Sequence, residues 1–435
     1  MTSFTIARPS GGAMDGTRFK LFPQPSYLEG FEEPETVFIA SRPGSIGPGP
    51  SDERMYAVFQ ADKPAPYGIA ADPASDADMF LPPWDGHILP PAMPDRHGHF
   101  DHLLPGTAQF ETAHLFGSVR FVTDIWEGYF GRPLRWHFDK DYDRLELSIL
   151  PELDNAYAGY GFIEVGGYRS NGGYLPFSLN FDVIAHEVGH LIIYGELGLP
   201  RPRTAGGEYF GFHESAADLV ALVSSLHFDS VVDSLLLATR GNLYASNLFN
   251  RMGELSDNRE IRLASNDRRL GEFARGWIKE HDLSQPLTGA FFDIFVDLFH
   301  ERLLDAKVIS REVEELSDSL LATPHYAPVM QALFDRAFAH HPDAFKLALL
   351  DARDQFGTYL AETWSRLEVS GLDYLAVADT FEAVDRDFSG GLYRRHIRGN
   401  FDMRDIGHVR VGPQLKPFGR DSHAASVRTA VPGVV

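Results

Sequence analysis

Asp182-Val183-Ile184-Ala185-His186-Glu187-Val188-Gly189-His190 is the stretch on which the reading of this 435-residue chain turns. His186 and His190 stand four residues apart in a helical context, so both imidazoles project from one face within reach of a single ion. Glu187 points beside that face, where it can reach a water on the metal without being a ligand. The helix is otherwise apolar nearly all round, through Val183, Ile184, Val188, Leu191, Ile192 and Ile193. The bland alternative is a buried helix whose histidines are satisfied core residues. It is disfavoured because, without a metal, burying these polar groups costs about 1–3 kcal/mol each.

A catalytic zinc needs a third protein ligand and one open position. Glu214 follows His190 by 24 residues, within Phe212-His213-Glu214-Ser215-Ala216-Ala217-Asp218. Glu214 and Asp218 are again one helical turn apart. If Glu214 takes the metal, Asp218 lies where it can hold the far nitrogen of a ligand histidine and fix its tautomer. The chain has no cysteine, which excludes thiolate ligands, disulfides and cysteine nucleophiles together.

Outward from this segment the chain divides by character. The first hundred residues are rich in Gly and Pro: Gly44–Pro50 reads as a loop, and Pro82-Pro83, Pro90-Pro91 and Pro94 suggest an extended surface segment. Short strands are expected at Thr36–Ala40 and Met55–Phe59. Thr112–Phe130 is apolar at helical spacing and is ended by Gly131 and Pro133. Leu145, Leu147 and Ile149 alternate with polar or small residues, the pattern of a strand, and Asn155–Ser170 suggests further strands or a hairpin. After Phe181 almost everything reads as helix, at Val183–Tyr194, Glu214–Leu226, Val231–Thr239, Leu287–Leu303 and onwards to about Ala383. The expected fold class is therefore α+β: a Gly/Pro-rich segment over 1–105 that could cover or extend the rest, an α/β lobe over 106–195, a helical lobe over 196–400, and a partly disordered tail over 401–435.

Composition bounds the function. Hydrophobic residues make up 44% and charged residues 23%, an ordinary soluble globular profile. Lys+Arg number 39 against 61 Asp+Glu, a net charge of −22. That balance excludes affinity built on phosphate neutralisation, so no nucleic-acid partner is expected, and anionic membrane surfaces are disfavoured too. No apolar run approaches the roughly 20 residues that span a bilayer. Met1–Lys20 has no apolar core of a secretory signal, so the expected location is the cytoplasm, or outside by a route without a cleaved leader.

With these motifs in place, residues 110 to 300 resemble the thermolysin-like zinc metalloendopeptidases, within the gluzincins. Asp182-Val183 followed by His186-Glu187 is similar to that family's active-site helix. Asn155-Ala156-Tyr157 resembles its edge strand, to which a bound peptide adds antiparallel. His281-Asp282-Leu283-Ser284 resembles its His-x-x-Ser segment. The resemblance implies a two-lobed fold, with the cleft between a mixed α/β lobe and a mainly helical one. It implies Zn2+ on His186, His190 and Glu214, a ligand set established for that family. Glu187 would be the general base acting on a metal-bound water, Asp218 and His213 would stand behind the ligands, Asn155 and Ala156 would bind substrate, and His281 would hold the oxyanion. The implied function is zinc-dependent hydrolysis of peptide bonds, with peptides or proteins as substrates.

The chain also departs from that pattern. The residue before Glu214 is usually Asn and is His213 here. The family's oxyanion tyrosine has no counterpart at its spacing, and Tyr209 is the nearest candidate. The acidic cluster that binds Ca2+ is thin, with Asp229, Asp233 and Asp182. These departures leave a second reading, a metal-containing binding or scaffold module with little proteolysis. Asp385–Gly391 resembles the start of an EF-hand loop, but its twelfth position is His396 rather than a bidentate Glu, so a structural turn is expected. Gly12–Asp15 looks like an aminopeptidase strand and lies too early to be one. His97, His99 and His102 lack a carboxylate frame and read as surface residues.

Overall fold

Leu145–Ile149 forms the strand around which the front half is built. The computed structural model describes residues 16–68, 81–170, 173–200, 206–244, 251–252, 262–318 and 324–415. In chain order the front half holds β1 (Thr17–Leu21), β2 (Glu35–Ile39), β3 (Met55–Phe59), α1 (Ala108–Phe130), β4 (Leu145–Ile149), β5 (Ala156–Gly159), β6 (Phe162–Val165), β7 (Gly167–Ser170) and β8 (Gly173–Pro176). β3, β4 and β6 are parallel, with Ala57 opposite Leu147 and Leu147 opposite Ile163. β5 returns antiparallel on β6 and forms the sheet edge. β1 and β2 make a separate antiparallel pair, as do β7 and β8.

The alternation in β4 has a cause other than solvent. All five of its residues are buried, polar ones included. Leu145, Leu147, Ile149, Ile163 and Val165 lie on the face that meets α1 and the helix over Phe181–Leu197, each worth about 1.5–3 kcal/mol on burial. The other face carries Tyr56, Glu146, Ser148 and Glu164, and residues 60–67 cover it. Glu146 accepts hydrogen bonds from Tyr56 Oη (2.6 Å), Tyr67 Oη (2.7 Å) and Gln60 Nε2 (3.0 Å). Glu164 takes Lys63 Nζ at 2.6 Å and the Tyr67 amide at 2.8 Å. A parallel sheet is covered on both faces, and here the second layer is a strap from the Gly/Pro-rich segment. Burial pushes the Lys63 amine down and the Glu164 carboxyl up, and their mutual attraction opposes both shifts.

α1 starts four residues earlier than the apolar pattern indicates because Thr107 caps it, accepting from the Phe110 amide; Gly131 ends it at φ 65°. His114, fully buried on α1, accepts the Phe22 amide through Nε2 at 2.9 Å and so ties the end of β1 to the helix. Burial pulls its pKa down to about 3. The unfolded chain takes up a proton there near pH 6.5, the folded chain only near pH 3. Stability is therefore lost as pH falls through that window, at up to about 1.4 kcal/mol per pH unit from this residue. Thermal melts between pH 7 and pH 4 should show a shallower fall in a His114→Gln chain, which keeps an acceptor but cannot titrate; parallel curves would exclude His114 as the cause. His99, expected on the surface, is likewise buried, its Nδ1 receiving the Arg18 amide at 3.2 Å.

The back half is helical: α2 (Phe181–Leu197), α3 (Gly207–Ser225), α4 (Asp229–Thr239), α5 (Glu280–Asp305), α6 (Arg311–Asp318), α7 (Ala327–His340), α8 (Pro342–Arg366), α9 (Tyr374–Ser389) and α10 (Arg394–Met403). The architecture is thus α+β, small sheets in front and helices behind. α10 and the residue that caps it dock on α5 through polar pairs at four-residue spacing: Arg404 with Asp293 (2.8 Å), Asn400 with Asp297 (2.7 Å) and His396 with Glu301 (3.2 Å). Residues 401–415, expected to begin a tail, are part of the fold. Phe401 and Ile406 are buried, and Leu415 donates its amide to the Trp277 carbonyl at 2.8 Å. Residues 416–435 and Gly12–Asp15 lie outside the described residues.

The EF-hand-like segment is the last turn of α9, closed by Gly390 at φ 74°. Asp385 is buried and accepts from Tyr359 Oη, Ser389 Oγ and the Tyr393 amide, so its oxygens already serve the protein. Among the described residues no single helix is long and apolar enough to cross a membrane.

Candidate metal centre

Asn180 starts α2 by accepting the Val183 amide at 3.2 Å, which fixes where the turn carrying His186 and His190 begins. α2 then crosses α3 at one close point. A Cβ on Gly189 would lie 2.6 Å from the Ala217 Cα, so only glycine lets the two backbones approach this far. Gly189 sits beside His190, and Ala217 beside Asp218 and one turn from Glu214. The crossing therefore brings together two segments that the sequence separates by 24 residues.

His186 Nε2 lies 3.4 Å from Glu214 Oε2, and His190 Nε2 lies 4.0 Å from the same oxygen. Glu187 offers a carboxylate oxygen within 4.8 Å of ring nitrogens of both histidines. The two imidazoles are nearly perpendicular, at 86°, with centroids 4.6 Å apart. Donors 2.0–2.1 Å from a tetrahedral zinc stand about 3.3–3.4 Å from one another. The His186–Glu214 distance meets that value and the His190–Glu214 distance exceeds it slightly. Two imidazole nitrogens and a carboxylate are also the donor set suited to zinc. The residues present therefore fit the ion.

Each histidine has its other nitrogen engaged from behind. His186 Nδ1 lies 2.9 Å from Asp218 Oδ1, and His190 Nδ1 lies 2.7 Å from His213 Nδ1. Two ring nitrogens in hydrogen-bond contact share one proton. If His190 keeps Nε2 for the ion, its Nδ1 carries that proton and His213 accepts it. His213 is held by aromatic contacts, its ring 4.2 Å from that of Tyr194 and 5.8 Å from that of Tyr209. In His213→Ala, zinc affinity should fall about 10- to 100-fold. His213→Asn should recover most of it, as measured by competition with a fluorescent chelator. Equal affinities in all three chains would remove His213 from the account.

All of these groups are buried, with Glu214 only 1% exposed. Burial pushes the Glu214 carboxyl up, but the neighbouring His281 and His190, with hydrogen bonding from His186 and His281, hold it well below the usual carboxylate range. His281, in the first turn of α5, lies 2.9 Å from Glu214 Oε2 through Nδ1, and at 42% exposure it is the open side of the cluster. The structure thus brings His186, Glu187, His190, His213, Glu214, Asp218 and His281 to one place.

Tyr209 stands one turn before His213 and is buried, and its hydroxyl has no hydrogen-bond partner among the described residues. Asn155 and Ala156 lie where β5 begins, at the sheet edge that packs on α2. The acidic residues considered for calcium have protein partners. Asp229 and Asp233 both pair with Lys346, and Asp182 receives Gln24 Nε2. Tyr194, which the sequence did not single out, supports His213; its place at His190 + 4 on α2 was the available signal.

No protein-family model matches the chain, and no curated protein matches it. Among solved structures it is similar to the precursor of protealysin, a metalloproteinase from Serratia proteamaculans. The likeness amounts to 12% sequence identity and a TM-score of 0.41 over 75% of this chain and 84% of that one, too slight to carry an argument about function.

Proposed function

We propose that the chain is a zinc-dependent, thermolysin-like metalloendopeptidase that hydrolyses peptide bonds in peptide or protein substrates. One observation carries this reading: the Nε2 atoms of His186 and His190 converge on Glu214 Oε2 with the Glu187 carboxylate alongside and both Nδ1 atoms held from behind. A bound zinc ion supplies a Lewis acid that polarises a carbonyl oxygen and lowers the pKa of a water towards 7.

The chain's own residues do the rest. Glu187 takes the proton of the attacking water and returns it to the leaving amine. His281, the exposed member of the cluster, donates to the oxyanion; Tyr209 is the second donor of this reading. One such donor is worth about 3–4 kcal/mol in other enzymes. Asp218 and His213 keep the ligand nitrogens aimed. The outer edge of β5, beginning at Asn155 and Ala156, pairs with the substrate backbone, which gives affinity without demanding a particular sequence.

Digestion of a random peptide library by the full chain, with and without a chelator, tests this reading. Cleavage that stops on chelation and returns with Zn2+ is expected. Zinc bound without cleavage would instead select the binding or scaffold reading.

A further inference from the structure

A second group of metal-ligating side chains lies where α5, α6 and α10 meet. His396 on α10 points Nε2 at Glu301 Oε1 of α5, 3.2 Å away, and at Glu314 Oε1 of α6, 3.9 Å away. One ligand atom from each of these three residues lies within 4.8 Å of the others. The other nitrogen of His396, Nδ1, is 3.3 Å from Asp297 Oδ2, and Asn400 Nδ2 donates to that same oxygen at 2.7 Å. This repeats the arrangement of the first centre, where Asp218 stands behind His186 and Glu214 in front of it. In both places a carboxylate engages Nδ1 and leaves Nε2 facing carboxylate oxygens, the orientation that metal-bound histidines have in proteins.

A further buried histidine lies beside the cluster in the chain. His300, next to Glu301 in the chain, is fully buried, and neither of its ring nitrogens has a hydrogen-bond partner among the described residues. The charges of Asp297, Glu301 and His396 all act on it. A buried imidazole without a partner costs about 1–3 kcal/mol, and this ring packs against Phe299 and Phe334.

We propose that Glu301, Glu314 and His396 form a second divalent-metal site, of the zinc or manganese class, that ties α10 and α6 to α5. One imidazole and two carboxylates suit such an ion. The three carboxylates Asp297, Glu301 and Glu314 pair with two side chains, His396 and Arg311, which leaves one negative charge over for an ion. Arg311 lies 2.7 Å from Glu301 Oε1 and 3.3 Å from Glu314 Oε2. Its side chain is 53% exposed, so it can swing into water when the ion takes its place. The site is independent of the proposed protease activity, since no residue is shared with the first centre.

Metal analysis of the dialysed full chain after loading with Zn2+ tests the proposal. Two equivalents are expected in the wild type and one in His396→Gln, with the melting temperature of the zinc-free variant checked alongside. Glu314→Gln, a milder change on α6, should also lose one equivalent and should lose the rise in melting temperature that the second equivalent confers. Equal zinc content in the wild type and both variants, with the same melting response, would overturn the proposal and leave an ion-pair network. A His190→Gln chain separates the two centres: it should lose the other equivalent, so failure of one assignment leaves the other readable.

Discussion

Glu187→Gln is expected to lower peptide hydrolysis by about 100- to 10,000-fold while zinc content stays at the wild-type value. The substitution keeps the size and one acceptor oxygen but removes the basic carboxylate, and general-base catalysis contributes about that range. Glu187 is 6% exposed, and its neighbours on the chain turn are the two histidines that face Glu214. No metal ligand is lost, so binding and turnover should separate. Steady-state kinetics on a fluorogenic peptide, paired with metal analysis of the same preparation, makes the comparison. Activity within a few-fold of wild type would assign the base elsewhere; loss of zinc together with activity would make Glu187 a ligand.

The second large effect concerns stability. Lys63→Met is expected to destabilise the chain by about 3–5 kcal/mol, because it leaves the Glu164 carboxylate buried without its cation. Both side chains are 0% exposed and 2.6 Å apart. Against a total stability of about 5–15 kcal/mol, that loss is a large part. The pair Lys63→Met with Glu164→Gln should recover much of it, since Gln still accepts the Tyr67 amide without carrying a charge. Urea unfolding of the three chains reads the difference. A single variant costing less than about 1 kcal/mol would show that the strap over 60–67 is held by its aromatic contacts instead.

What the sequence made legible was mostly local. α2 and the side-by-side placing of His186 and His190 follow from four-residue spacing, because helical geometry puts them on one face whatever surrounds them. Glu214 and Asp218 follow from the same rule one helix later. β3, β4 and the end of α1 were readable from alternation and from Gly131. The polar face of the sheet was not. The alternation marks a strand but not what Glu146 and Ser148 face, because their partners Gln60, Tyr67 and Glu164 come from segments whose approach no local pattern encodes.

The same limit explains His99, buried by a contact with Arg18 that spans 81 residues of chain. It explains residues 401–415, where Leu415 and Pro413 pair with Trp277 from a distant part of the chain. His213 is the instructive case at the site. By type it departs from the resembled family's Asn, and only the crossing of α2 on α3 shows its Nδ1 in contact with that of His190.

The most direct measurement is zinc K-edge X-ray absorption on the full chain carrying His396→Gln, so that one equivalent of zinc can enter only the first centre, beside the same chain with Glu214→Ala added. The account predicts four-coordinate zinc with two imidazole nitrogens at about 2.0–2.1 Å and oxygen ligands at about 2.0–2.2 Å, and loss of one oxygen or of the metal itself in the variant. A spectrum of the His396→Gln chain with fewer than two imidazoles, or one unchanged by removing Glu214, would contradict it.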